Sequence, residues 1–349
     1  MNTLPIVSVV IPMRNEAVHI DRCLDSVLAQ EYPPERLEVI VVDGESDDDS
    51  LRVLAGYGSR IRVLTNPSRI VPGAMNIGIR AAHGEIICRV DAHTVLDPDF
   101  VRIGVETLQR TGADNVGGPM VSVGGGRWGD AIALAMSSRF GIGSYFHFAS
   151  ADREVDTVYM GMFPKRVFER IGLFDEELVR DQDDELNYRL RKSGGRIFLT
   201  MRMRSRYQNR QSVRALARQF FQYGWWKIRV LQKHPKQMSL RQFVPALFIL
   251  SLLGSAIVSL FCPPAVLLLL VALVAYGAAA SAAAAVVAQR NGWSLFVPLL
   301  ATFATMHFSY GSGFLLAIFR FADRWFASEP SPPPLNASAA TDGARERGQ

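Results

Sequence analysis

The sequence is poor in cysteine: Cys23, Cys88 and Cys262 are an odd number without CxxC spacing. A disulfide scaffold is excluded, and a thiol-reducing compartment is the default for any soluble part. Phosphate loops are also missing. No GxxxxGK[ST] and no GxGxxG occurs, and Gly124-Gly125-Gly126 is not followed by Lys-Ser or Lys-Thr. ATP hydrolysis and dinucleotide redox chemistry lose their main support. Without a GxSxG elbow, so does Ser-His-Asp hydrolysis. The apolar run 6–11 is too short for a signal peptide and lacks a basic leader and a cleavage site. Disorder is excluded for the bulk of the 349 residues, 49% of which are hydrophobic.

Acid is absent from one long stretch. Residues 196–241 hold twelve Lys and Arg and no Asp or Glu, so the rest of this chain of net charge +5 is net acidic. A basic stretch before an apolar region suits anionic lipid headgroups on the cytoplasmic side. Nucleic acid is not expected as a partner, since no nucleic-acid motif accompanies the charge. Charge of either sign is then nearly absent from 244–319, where Arg290 stands alone, and the mean hydropathy of the whole chain is +0.12. Three spans fit this region (244–261, 265–288 and 294–318), broken at Cys262-Pro263-Pro264 and at Gln289-Arg290-Asn291-Gly292. Each is near the ~20 residues a bilayer requires; buried core helices are the rival reading. Three crossings put Arg320 and Arg324 outside, against the positive-inside rule, and a re-entrant hairpin for the first two is the alternative. The expected organisation is a cytoplasmic domain over 1–241, whose last part, 196–241, is the basic juxtamembrane segment. A membrane region of about three helices over 242–320 and a disordered tail over 328–349 follow, the tail carrying the sequon Asn336-Ala337-Ser338.

The first two hundred residues alternate strand and helix. Buried, β-branched runs at 6–11, 37–42, 61–64 and 85–90 read as strands, with helices over about 17–28 and 72–82 between them. This pattern predicts an α/β fold with a parallel sheet covered on both faces. In such sheets ligands gather at the carboxyl ends of the strands. Polar residues cluster there: Arg14-Asn15-Glu16, then Asp43 to Asp49, then Asp91-Ala92-His93. Asp91 and His93, two apart in extended chain, face the same way and suit one divalent ion bridging a diphosphate. Asp43, nearest its strand end, suits a base or ribose, whereas Asp47–Asp49 read as a solvated, helix-capping turn. Seven acids crowd the eleven residues 175–185. They sit at a helix start, where the dipole favours them, yet so many like charges suit a base or a cation site.

Together these residues resemble the family-2 glycosyltransferases, inverting sugar-nucleotide enzymes of the GT-A fold, a Rossmann-like nucleotide-diphospho-sugar transferase domain. The motifs are VSVVIPMRNE (7–16), VVDGES (41–46), Asn76-Ile77-Gly78, GEIICRVD (84–91) and GLFDEELVRDQDDELNYRLRK (172–192). RVDAHTVLDPDF with the later FFQYGWWK and KHP is similar to the membrane-associated glucosyltransferases of succinoglycan-type exopolysaccharide synthesis. The resemblance implies that Pro12, Arg14, Glu16 and Asp43 hold the nucleotide. It implies that Asp91, with His93 in place of the family's second Asp, binds Mg or Mn and the diphosphate. Asp183 becomes the general base, preceded by Gln182 instead of Glu. Glu185, Arg189, Arg218, Trp225 and Trp226 fall to the acceptor or diphosphate side. Gln222-Tyr223-Gly224-Trp225-Trp226 departs from the Q-x-x-R-W of processive members, favouring one sugar per encounter. The implied reaction moves a sugar, glucose foremost, from a UDP-sugar to a lipid-linked saccharide at the inner membrane, with other glycan-assembly proteins as further partners. A polyprenyl-phosphate sugar synthase, a processive β-glycan synthase and an inactive membrane scaffold remain the alternatives.

Overall fold

The computed structural model describes residues 4–141, 145–325 and 332–335. Its strands are β1 (Val7–Met13), β2 (Leu37–Asp43), β3 (Arg62–Thr65), β4 (Ile86–Arg89), β5 (Thr94–Leu96), β6 (Asn115–Gly118), β7 (Met120–Val123), β8 (Arg153–Glu154), β9 (Tyr159–Pro164), β10 (Ile197–Leu199) and β11 (Ser205–Gln208). Its helices are α1 (Ile20–Leu28), α2 (Ser50–Ala55), α3 (Val71–Ala81), α4 (Phe100–Thr111), α5 (Gly126–Met136), α6 (Arg166–Ile171), α7 (Gln182–Lys192), α8 (Val213–Lys233), α9 (Val244–Ser259), α10 (Val266–Asn291) and α11 (Phe296–Arg320).

Residues fall into two compact units. The first holds residues 1–117, 153–203 and 330–349; the second holds 118–152 and 204–329. The boundary expected at 241 is therefore not where packing divides the chain. Residues 118–152 join the apolar helices because α5 packs on α11 within the second unit.

The first unit is built on an eight-stranded sheet in the order β3-β2-β1-β4-β9-β6-β10-β8. β1, β2, β3 and β4 are parallel, as the buried β-branched runs predict. Every residue of β1 is buried, and α1 lays Ile20, Cys23, Leu24 and Val27 against the same core. Helix α3 approaches the sheet closely: a Cβ on Gly78 would stand 2.3 Å from Val10 Cγ1. The sheet departs from the expected all-parallel pattern at β9, which lies antiparallel beside β4. Its six residues sit in no β-α-β repeat, so the alternation around them gives no hint of that pairing. Glu38 fastens the other end of the sheet, accepting from Ser8 Oγ at 2.5 Å and from the His83 N–H at 2.9 Å. Within the expected tail, Pro333 O accepts from the Leu173 N–H at 2.9 Å, so residues 332–335 belong to this unit's packing. The sequon and the remainder of the tail lie outside the described residues.

In the second unit, α8 and α11 lie side by side. A Cβ on Gly224 would stand 2.0 Å from the Tyr310 carbonyl oxygen, and one on Gly313 would stand 2.2 Å from that of Phe221. Two described helices are long and apolar enough to cross a membrane: Leu240–Ser259, which includes α9, and Pro263–Asn291, which includes α10. The third expected span forms α11, but Leu299, Thr302, Phe303, Met306, Phe314 and Ala317 are among its buried residues. Residues 126–136 form the core helix α5, and residues 142–144 lie outside the described residues.

Candidate active site

The site forms where β1, β2 and β4 end. Past β1, Asn15 takes a left-handed conformation (φ 55°). It exchanges hydrogen bonds with Asp47, donating from Nδ2 at 2.7 Å and accepting from the Asp47 N–H at 3.0 Å. Asp48 accepts from the N–H groups of Ala17 and Ser50, so the Asp47–Asp49 turn is structural, while Asp49, the N-cap of α2, makes no side-chain capping bond. Pro12 is buried within β1 beside Val42, and Arg14 is exposed at the strand's end. Asp43 is 3% exposed. Its two oxygens accept from Ser46, from Oγ at 2.6 Å and from N–H at 3.1 Å. Asp43 thus anchors the 43–46 turn from beneath, at the carboxyl end of β2.

Glu16 reaches across to β4. Its Oε1 lies 3.0 Å from His93 Nδ1, joining the first and third polar clusters. Asp91 sits between His93 and Arg89. Nε and Nη2 of Arg89 both approach Asp91 Oδ1 at 3.0 Å. Burial disfavours the charge on Asp91, but Arg89 above all, then His93 and the Tyr159 hydroxyl, outweigh it and hold the carboxyl below the ordinary range. Tyr159 comes from β9 and also shares a 2.8 Å hydrogen bond with Thr94 Oγ1. The Asp91 N–H points at Met160 Sδ at 3.4 Å.

Arg89 has a second carboxylate. Its Nη1 lies 3.8 Å from Asp183 Oδ2. One guanidinium, 11% exposed, therefore stands between Asp91 and Asp183, 92 positions apart in the sequence. Burial works against the charge on Arg89, and the two carboxylates more than restore it. Asp183 opens α7 behind Asp181, whose left-handed φ of 61° turns the chain into the helix. Its Oδ1 accepts from the Asp184 N–H at 2.9 Å. At 45% exposed, its side chain is open to a reactant.

Glu185, two residues on, is scaffold. Glu185 is 1% exposed and gives both oxygens to Arg189, at 2.6 and 2.9 Å. Arg189 also donates to the carbonyls of Ile171 and Leu173. Buried Asn76 grips the same segment, accepting from the Phe174 N–H and donating to the Phe174 carbonyl, each at 2.9 Å. Glu185 and Arg189 thus leave the expected acceptor side and become the brace that aims α7, because a buried carboxylate needs a guanidinium within reach. Arg218, Trp225 and Trp226 lie on α8 in the second unit. Trp225 stacks on Phe221 and, like Trp226, meets the ring of Phe321. Both tryptophans serve helix packing, while Arg218 is exposed.

Among the described residues no group of three or more His, Cys, Asp and Glu side chains gathers to hold a metal. A protein-only cage is thus not present there. Asp91 and His93 nonetheless fit a divalent ion that draws its other ligands from a diphosphate, as Mg²⁺ does when bound by one or two carboxylates. Glu16 at Nδ1 of His93 matches the carboxylate partner that orients metal-ligating histidines.

The sequence profile of Glycosyl transferase family 2 matches residues 8–172, which include every strand-end cluster but stop before Asp183. The succinoglycan biosynthesis protein ExoA of Rhizobium meliloti is 32% identical over 243 residues, 68% of this chain and 73% of that protein. A dolichyl N-acetyl-α-D-glucosaminyl phosphate 3-β-D-2,3-diacetamido-2,3-dideoxy-β-D-glucuronosyltransferase of Methanococcus voltae is 30% identical over 238 residues, 65% of this chain and 74% of that one. Among solved structures, mannosyltransferase PcManGT from Pyrobaculum calidifontis in complex with GDP-Man and Mn²⁺ superposes with a TM-score of 0.58 at 21% identity. The alignment covers 91% of this chain and 88% of that one. That likeness is one of fold, the α/β arrangement called GT-A. Sheet order, strand-end clusters and relatives agree, and the chain belongs to glycosyl transferase family 2, as a glycosyltransferase.

Proposed function

We propose that the protein transfers a hexose, glucose foremost, from a UDP-sugar to a hydroxyl of a lipid-linked saccharide, with inversion, in the synthesis of exopolysaccharide or another cell-surface glycan. The observation that carries this reading is the Arg89 bridge, which sets Asp91 and Asp183 on one guanidinium.

In this reading Asp183 takes the proton of the acceptor hydroxyl as that oxygen forms its bond to the anomeric carbon. The bond from that carbon to the diphosphate breaks on the opposite face, and its electron pair leaves with UDP. Arg89 keeps a positive charge beside both reacting ends. Bound by Asp91 and His93, a divalent ion, Mn or Mg, would supply the charge that steadies the departing diphosphate. Glu16, Arg14 and the 43–46 turn line the nucleotide side. The Methanococcus relative, named for a dolichyl-linked sugar phosphate, supports a lipid-linked acceptor. The Mn²⁺ in the PcManGT complex supports a divalent ion.

The test is a donor panel of UDP-glucose, UDP-galactose, UDP-N-acetylglucosamine and GDP-mannose with the full chain in membranes, with Mn²⁺, Mg²⁺ or chelator. The expected result is acceptor-dependent release of UDP from one UDP-hexose, lost on chelation. Release of GDP alone would replace the donor assignment, and a monosaccharide carried directly on lipid phosphate would replace the acceptor. A second expectation concerns Glu16. Glu16→Gln weakens the orientation of His93, and the Mn²⁺ concentration for half-maximal nucleotide binding should rise about 10–100-fold. Titration of UDP binding against Mn²⁺ reads this directly; an unchanged midpoint would remove His93 and Glu16 from the metal assignment.

A further inference from the structure

The two candidate spans and the helix that follows them differ in kind. Residues 244–288 contain no Asp, Glu, Lys or Arg. Large apolar side chains stand exposed along both helices, among them Leu250, Ile257, Leu267, Val271 and Val274. A helix lying in the lipid–water interface needs one polar face, and neither has one. α10, with 26 residues, is roughly 39 Å long at ~1.5 Å per residue, enough for a hydrocarbon core of about 30 Å. The 20 residues of Leu240–Ser259 reach roughly 30 Å on the same rise.

α11 lies pressed along α8 at Gly224 and Gly313. α8 carries Arg214, Arg218, Lys227, Arg229 and Lys233 within its 21 residues. Each such charge costs roughly 2.5–3.5 kcal/mol at a membrane centre, so α8 does not cross. The start of α11 is also fixed from the α5 side, where Arg127 Nη2 donates to the Ser294 carbonyl at 2.8 Å.

After α11 the chain returns to the unit that carries Asp91 and Asp183, where Leu173 holds Pro333. From Trp325 to Pro332 the backbone extends at most about 25 Å, too short to cross a core of about 30 Å. Between Met203 and Leu240 the chain is too basic to cross. The number of crossings between the two visits to that unit is therefore even.

We infer that α9 and α10 form a two-pass hairpin in the hydrocarbon of a bilayer, turning at Cys262-Pro263-Pro264 on the far face, while α11 remains on the side of Asp91 and Asp183. This corrects the expected third crossing and holds whichever sugar the enzyme moves. It also removes the conflict in charge. Arg241, Arg290, Arg320 and Arg324 all come to the catalytic side, and the far turn is uncharged, as the positive-inside rule requires.

The native cysteines provide the assay. Cys262 is exposed, whereas Cys23 and Cys88 are buried. Sealed membrane vesicles of both orientations, holding the full chain, are treated with a membrane-impermeant maleimide. Two further chains carry Cys262→Ser with Ser59→Cys on the catalytic unit, or Cys262→Ser with Ala322→Cys after α11. All three positions are exposed, and labelling in detergent calibrates each. The expected result is Ser59→Cys and Ala322→Cys modified from one face and Cys262 from the other. Cys262 and Ala322→Cys modified from the same face, opposite Ser59→Cys, would mean three crossings and overturn the inference. Cys262 modified from the face of Ser59→Cys, or from neither face, would mean that the hairpin does not cross, and would overturn it equally.

Discussion

Asp183→Asn should lower the rate of sugar transfer by about 10²–10⁴-fold, the usual contribution of a general base. The substitution is isosteric. It keeps an Oδ1 for the Asp184 N–H and removes only the ability to hold a proton. Because the Asp183 side chain is 45% exposed and its approach to Arg89 is 3.8 Å, folding should be little affected. Nucleotide binding should also persist, since the strand-end clusters at β1, β2 and β4 are untouched. The measurements are UDP release in the presence of acceptor and calorimetric UDP affinity on the same preparation. A large fall in turnover with affinity unchanged within about twofold fits a group acting only in the transition state. Turnover equal to the native enzyme would remove Asp183 as base and with it the proton path proposed here.

Arg89→Met should produce the largest loss of stability. Removing one member of a buried ion pair typically costs about 3–5 kcal/mol, because the remaining charge is left without compensation. Asp91 retains 16% exposure, which places the expectation near the lower end, about 3 kcal/mol. For domains of this size that corresponds to roughly 6–12 °C in melting temperature. The sign of the pH dependence identifies the cause. In the native protein Asp91 is held below the ordinary carboxylate range, so its contribution is present above the unfolded value of about 3.9 and is lost as pH falls through the folded value. Without Arg89, burial dominates and raises the carboxyl, so its penalty is greatest at neutral pH and fades as Asp91 takes up a proton on acidification. The stability gap between the two proteins should therefore narrow from pH 8 towards pH 5. Adding Asp91→Asn to Arg89→Met should recover part of the loss, as expected for coupled neighbours. A gap independent of pH and not relieved by the second substitution would assign the loss to packing.

Arg89 is also the clearest case of a site residue that sequence reasoning passed over. It stands within the motif that named Asp91, yet a lone arginine in a run that reads as a buried strand names no partner. Its importance appears only when α7 is in place, because a guanidinium is defined by the carboxylates around it. Tyr159 was hidden for a different reason. β9 joins the sheet antiparallel beside β4, a pairing that local pattern cannot encode, since the two strands are more than seventy residues apart. The acidic segment shows the converse. Its charges were visible, but their division into one open carboxylate and one buried brace depended on Arg189 reaching back to Ile171 and Leu173.

The linear sequence by itself determined the parallel half of the sheet, the clustering of polar groups at its carboxyl ends and a nearly charge-free region over 244–319 suited to lipid. These follow from local periodicity and from side-chain solubility, properties each segment carries wherever it is placed. Tertiary structure alone decided that Asp91 and Asp183 share an arginine, that Glu185 is a buried brace, and that α11 packs along a basic helix. Each of these is a relation between distant segments, and the energy of a charge or an apolar face depends on what is brought against it.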